Sequence, residues 1–378
     1  MTDNQEKKPN SDDDLESELR SFLLNHDDIS TIEATTVRGT RLRISEANQV
    51  APFSVLGSEA TSTFKKEHQS REKLIQILSE RGLEIDDELA ALEWLQKVGY
   101  YRLSGFGLQF RNQDEDGNLV DTYKKGTRFE QLTDLYQFDR HLRLLVLDAI
   151  ERIEIAFRER LNDTMATRYG PHWFLNPKLF SKKTKKNSKQ PLFDHQEFLV
   201  KTYEEARRNK ESLSIKHYYT TYGDPPIPPC WMLADVLSMG NWSKAYGMLA
   251  EASDQKPVSK YFRASTPELT SWIHALTNLR NACAHHSRLW DRRFIFCPSK
   301  KKNLKNVLQS NDLLFAQIAT VLYCLWSIEP ESQWLEHLIQ LIDKHPSVTL
   351  EPMGFPSDWK EKLASLAPTK DATGSATL

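Results

Sequence analysis

Nowhere in the 378 residues do eighteen apolar residues run uninterrupted, so no membrane-spanning helix is expected. The opening segment MTDNQEKKPNSDDDLESELR lacks the apolar run of a signal peptide, which makes a cytoplasmic protein the expectation. Cysteine is scarce as well. Cys230, Cys283, Cys297 and Cys324 show neither a CxxC spacing nor an even framework, and they read as reduced thiols rather than as metal ligands or disulfides. Charge of one sign is missing: a formal net of -2 and a pI near 6.6 exclude a protein that coats nucleic acid or membrane by bulk electrostatics, so any polyanion site must be local. There is no glycine-rich phosphate loop, and nucleotide transfer would need a nucleotide-binding partner. No metal and no cofactor is expected.

An apolar content of 39% is enough to build a core. Residues 1–63 are polar, with an acidic Ser-Asp-Asp-Asp cluster and little periodicity, and are expected to be a mobile leader in which LESELRSFLL makes at most a short helix. From Lys65 the pattern changes. Leu74, Ile75 and Leu78 form one face, Gly82 stops the helix, and Leu89, Leu92 and Leu95 form the next, which predicts a helix-turn-helix-like unit. The Asp-Gly of RNQDEDGNLV predicts a short hairpin. From Phe129 to Tyr169 a long helix is expected, with Val146, Ile150, Ile153 and Phe157 on one stripe, Glu154 and Arg158 paired four apart, and Gly170-Pro171 as the stop. DHQEFLVKTYEEARRNKESLSIKHYYTTYG reads as another helix, DPPIPPC as punctuation, and helices follow around NDLLFAQIATVLYCLWSI and QWLEHLIQLIDKH. The fold class is therefore mainly α: a helical domain over 64–350 and a partly disordered tail over 351–378.

The densest chemistry lies in LTNLRNACAHHSRLW, on a helix expected over 267–290. Trp272, Leu276, Leu279 and Cys283 follow the rhythm of a buried stripe. Asn281 and His285 are four apart on another face, and Arg288, three further on, is expected to join them. Arg280 lies five residues before His285, about 140° round an ideal helix, so the two side chains do not sit together within one chain unless Arg280 reaches across or a second subunit brings its copy. A histidine moves protons near neutral pH and an arginine clamps phosphoryl oxygens, a pairing suited to phosphodiester cleavage. A solvated or interfacial polar face is the plainer alternative for the same residues.

LRNACAHHSRLW resembles the signature of the bacterial abortive infection (Abi) proteins of the AbiD/AbiF type, members of the HEPN superfamily. LQKVGYYRLSGF, YQFDRHLRLLVLDAIERIEIAFR and PPCWMLADVLSMGNWSKAY resemble further family blocks in the family's order. Asp235, in place of the usual glutamate, and Asp291, in place of the usual asparagine, depart from that pattern. The resemblance implies a HEPN-like helical bundle and metal-independent RNA cleavage by Arg280 and His285. Asn281, His286 and Arg288 would then be auxiliary or phosphate-contacting residues. It further implies a toxin in anti-phage defence, a homodimer with two motif helices facing one cleft, RNA as substrate, and a small structured RNA as a restraint. A non-catalytic RNA-binding module is the alternative.

Weaker candidates for RNA contact are Tyr100 or Tyr101 beside Arg102, which could equally be core aromatics closing a turn. The lysine sets Lys182, Lys183, Lys185, Lys186 and Lys189, and Lys300, Lys301, Lys302 and Lys305, are more simply read as solvated loops.

Overall fold

The computed structural model describes residues 67–182, 193–222, 224–300 and 304–368 in full, and before them the backbone of three short strands, β1 (Thr31–Thr35), β2 (Arg41–Ser45) and β3 (Ser54–Val55). These pair in order as an antiparallel meander, with Ile32 opposite Ile44 and Leu42 opposite Val55. The sequence does not announce them, because five-residue runs carry too little alternation to stand out. The rest of the expected leader, including LESELRSFLL, lies outside the described residues.

The helical unit begins with α1 (Arg71–Glu80) and α2 (Glu88–Lys97), each started by a capping side chain: Ser70 accepts from the Lys73 amide and Asp87 from the Ala90 amide. The predicted face of α1 holds, with Ile75 and Leu78 buried. On α2 the expected face is shifted: Leu95 is buried, Leu89 is 76% exposed, and Ala91 takes the inner position four residues before Leu95. A short helix, α3 (Tyr100–Ser104), leads to the predicted hairpin of β4 (Arg111–Gln113) and β5 (Leu119–Tyr123), whose turn is tied by Asp114 accepting from the Asp116 and Asn118 amides.

α4 (Phe129–Tyr169) is the axis of the unit, 41 residues or about 60 Å long. Its inner stripe of Val146, Ile150, Ile153 and Phe157 is fully buried, as its periodicity predicts. Against it pack α9 (Ala252–Tyr261), α10 (Thr266–Ala284), α11 (Leu314–Ile328) and α12 (Trp334–Lys344). α11 is apolar all round and is buried from Leu314 to Trp326, the arrangement expected of a central bundle helix. The stretch predicted as one helix before DPPIPPC is two, α5 (His195–Arg208) and α6 (Leu213–Thr221), because Asn209 caps the first and Ser212 precedes the second. α7 (Cys230–Leu233) and α8 (Met239–Gly247) complete the middle of the chain. No helix among the described residues is long and apolar enough to cross a membrane.

Packing continues past the expected boundary at 350. Met353, Phe355, Trp359, Leu363 and Leu366 are buried, and a last helix, α13 (Trp359–Ala364), brings Trp359 against Phe355, which in turn meets Phe315 of α11. Gly354 makes this return possible. Its φ is +81°, and a Cβ there would meet Leu313 at 2.8 Å. Gly354→Ala is expected to lose about 1–3 kcal/mol in urea unfolding, from the left-handed backbone and the clash together.

The four cysteines are free. Burial pushes the Cys230 thiol up to about 11 and Cys283 up to about 12, and it raises Cys324 as well. The thiolate is the reactive form, so these three are protected twice, by exclusion and by protonation. With a disulfide reagent at pH 8, the folded protein should titrate through Cys297 alone, which is partly exposed, and the denatured chain through all four. Fast reaction of a second native thiol would refute this.

Candidate functional site

The motif helix α10 opens as the sequence predicts. Ser265 and Glu268 form a reciprocal capping box and Pro267 stands in the first turn. The inner stripe of Trp272, Leu276, Leu279 and Cys283 is buried against the core.

Its end is different. The sequence places the helix over 267–290, whereas α10 stops at Ala284, with His285 as its cap. His286 has φ +57°, its amide donates to the Cys283 carbonyl at 3.0 Å, and the Ser287 amide donates to the Ala282 carbonyl at 2.8 Å. This is a left-handed cap that satisfies two terminal carbonyls. Histidine is among the side chains that tolerate this backbone better than most. Arg288 therefore does not share a helical face with Asn281 and His285.

The turn is held from a distance. Asp139 of α4 accepts from the Leu289 and Trp290 amides, both at 2.8 Å, and forms an ion pair with Arg143; both side chains are almost fully buried. Burial pushes the Asp139 carboxyl up, against the pull of Arg143 and the two amides. Trp290, so positioned, is buried and donates its indole N–H to the Thr349 carbonyl at 3.0 Å. Sequence reading missed Asp139 and Arg143. The signal was an oppositely charged i, i+4 pair on the otherwise apolar face of the long helix.

From the other side the turn meets α3. Arg102 donates to the His286 carbonyl, and Arg288 donates to the Gly105 carbonyl while lying 6.0 Å over the Phe106 ring. YYRLSGF is thus joined to the motif by two arginine-to-carbonyl bonds. Of its two tyrosines, Tyr100 is half-buried with its hydroxyl accepting from Arg81 at 3.1 Å, whereas Tyr101 is 91% exposed.

Three cavities meet the end of α10, and they divide the motif residues. The first, about 510 Å³, has Tyr101, Arg102, Arg111, His285, His286 and Arg288 in its wall and, among the described residues, no carboxylate. The second, about 780 Å³, holds Arg280 and Arg158 among four carboxylates, Glu151, Glu154, Glu205 and Asp235. Glu154 bonds Arg158, as the sequence predicts, and also faces Nε of Arg280 at 3.7 Å; burial lowers the Arg158 pKa. The third, about 300 Å³, lies between Asn281 of α10 and its cap His285 on one side and the exposed Ile295 and Phe296 on the other. None of the three is walled by both Arg280 and His285. The 140° separation read from the sequence is therefore kept: His285 looks onto basic ground and Arg280 onto acidic ground.

The lysines contribute little to this picture. Lys182 is exposed, and Lys300 donates to the Gln309 carbonyl at 2.6 Å. Lys183, Lys185, Lys186 and Lys189, with Lys301 and Lys302, lie outside the described residues. Asp291 has φ +53°, a backbone that aspartate and asparagine both tolerate, so this departure is accommodated locally. Asp235 lies in the wall of the Arg280 cavity. No group of side chains suited to hold a metal ion occurs among the described residues.

Residues 93–291, just over half of the chain and enclosing α3, the whole of the long helix and the whole motif turn, match a family model described as Abi-like protein. The chain belongs to this family. Neither the comparison with curated proteins nor that with solved structures gives a match. The matched span ends at Asp291, one residue after the buried Trp290, so it contains every arginine and histidine of the first cavity. Membership of the Abi-like family points to abortive-infection defence, the coarse function of this chain.

Proposed function

We propose that this Abi-like protein is a HEPN-type endoribonuclease that acts as the toxin of an anti-phage defence and works as a homodimer. What carries the reading is His285: exposed at the cap of α10, fixed by the turn that Asp139 ties down, and bordering a basic cavity of nucleotide size. In the proposed reaction His285 takes the proton of a ribose 2′-OH. The 2′-oxygen attacks the adjacent phosphorus, the P–O5′ bond breaks, the leaving 5′-oxygen takes a proton from water and His285 returns its own to solvent, giving a 2′,3′-cyclic phosphate and a 5′-hydroxyl end. Arg280 stabilises charge on the phosphorane-like transition state, and Arg288 and His286, in the wall of the same cavity as His285, contact flanking phosphates. DNA, lacking the 2′-OH, would not be cut.

Arg280 needs a route to that phosphate, since in one chain it faces Glu154 and a different cavity. A second copy supplies it in the proposed dimer. The same separation supports a second reading, an RNA-binding module without catalysis whose basic cavity alone holds RNA, including a small structured RNA that restrains the toxin.

The deciding experiment is RNA cleavage in EDTA by the parent, Arg280→Ala and His285→Ala proteins, with the product ends identified. Cleavage by the parent with cyclic phosphate ends, reduced about 10²- to 10⁴-fold in both variants, is the expected result. RNA bound but uncut by the parent, or cleavage unchanged in His285→Ala, would establish the binding module or move the chemistry elsewhere.

A further inference from the structure

The cavity beside His285 has features that cleavage by His285 and Arg280 does not require. Its wall carries three guanidinium groups, those of Arg102, Arg111 and Arg288. Arg102 and Arg288 each give one donor to a backbone carbonyl, which fixes them in place. A guanidinium has five N–H donors, so most of each remains free for a ligand. Arg111 is held by Asp121 through Nη1 at 2.8 Å, and its buried Nε has no partner. At the mouth stands Tyr101, 91% exposed although its neighbours Tyr100 and Leu103 are packed inward. A large aromatic ring left almost wholly in water beside a carboxylate-free pocket is an unused stacking surface.

From this geometry we infer that the cavity is a subsite for one nucleotide of single-stranded RNA next to the cleaved bond. The base stacks on Tyr101, and its phosphate is held by Arg102 and Arg288 beside His285. Three observations choose this occupant. A volume of about 510 Å³ suits one nucleotide and is too small for a duplex. Its wall sets three arginines against no carboxylate, although Asp121 pairs with Arg111 behind it, whereas the neighbouring Arg280 cavity sets four carboxylates against two arginines and would repel a phosphate. Tyr101 offers an exposed ring at the cavity wall, a surface suited to stack on the π-face of any base, which is how unpaired strands are bound with little sequence preference. The subsite rests on the ribonuclease reading for its place in a reaction, but its occupancy is measurable without any cleavage.

The test is binding of a fluorescent 2′-O-methyl oligonucleotide, which cannot be cut, to the parent, Tyr101→Ala and Tyr101→Phe proteins, with adenosine monophosphate and inorganic phosphate as competitors. Tyr101 is so exposed that neither substitution burdens folding. Tyr101→Ala should weaken the oligonucleotide about 10- to 100-fold and Tyr101→Phe less than about twofold, because stacking needs the ring and not the hydroxyl. Equal binding by Tyr101→Ala overturns the subsite. Competition by the mononucleotide as strong as that of the oligonucleotide also overturns it, assigning the pocket to a free nucleotide. Cleavage of ordinary RNA by the same proteins separates the two ideas. A cleaving parent with an unaffected Tyr101→Ala removes the subsite and keeps the ribonuclease, while Tyr101-dependent binding with no cleavage keeps the subsite and removes the ribonuclease. A parent that neither binds nor cleaves removes both.

Discussion

Asp139→Ala should destabilise the helical unit by about 3–5 kcal/mol, measured by urea unfolding, because it leaves the Arg143 guanidinium buried and uncompensated. It also orphans the Leu289 and Trp290 amides, which have no other acceptor among the described residues. Two controls separate these causes. Asp139→Asn keeps an oxygen for the amides and removes only the charge, so its cost should be smaller. The double replacement Asp139→Ala with Arg143→Met removes the stranded charge and should recover part of the loss, since well-packed apolar residues often replace a buried pair at little cost. A double variant no more stable than Asp139→Ala would show that the amides, not the charge, carry the effect. The pH dependence has a definite sign. Burial raises the folded-state pKa of Asp139, so the stability linked to its protonated form is fully present below the ordinary carboxylate value of about 4 and is lost as pH rises through the folded value. Asp139→Asn should flatten that slope.

The consequence reaches the candidate site, because the same carboxylate that closes the core fixes the turn displaying His285. Wherever Asp139→Ala still folds, it should lower His285-dependent chemistry without touching His285. This tie also explains what the sequence could and could not reveal. The stripes of α4 and α10 were legible in advance, because burial imposes the helical period directly on Val146, Ile150, Ile153 and Phe157 and on Trp272, Leu276, Leu279 and Cys283. The stop at Ala284 was not. Leu289 and Trp290 are apolar at a spacing that continues a helix, and what diverts them is a carboxylate 150 residues away along the chain. Without a glycine at the left-handed position, the sequence carried no local sign of the turn; His286 holds it instead. Tyr100 and Tyr101 are equally aromatic in the sequence, and only the cluster that draws Tyr100 and Leu103 inward with Ile75, Leu95 and Phe129 decides which of them reaches water. The acidic surroundings of Arg280 were half visible: Glu154 could be placed four residues from Arg158, but no spacing rule brings Glu205 and Asp235 to the same cavity.

That acidic cavity yields the sharper test of assembly. Arg280 and His285 border different cavities in one chain, so a dimer that joins them must take the arginine from one copy and the histidine from the other. Arg280→Ala and His285→Ala proteins should each be nearly inactive alone, and mixing them in equal amounts under conditions of subunit exchange should restore activity. The size of the restoration is fixed by symmetry. In a two-fold dimer each mixed pair contains one site with both residues intact and one with neither, and random exchange makes half of all dimers mixed, so about one quarter of the parental activity should return. If Arg280 instead swings away from Glu154 to meet His285 within its own chain, every site in the mixture lacks one residue and the activity stays at the level of the single variants. Restoration would assign the active site to the interface, and with it the purpose of holding the motif arginine among carboxylates: a lone copy keeps Arg280 engaged with Glu154 on one side and His285 exposed on the other, and chemistry begins only when two copies meet.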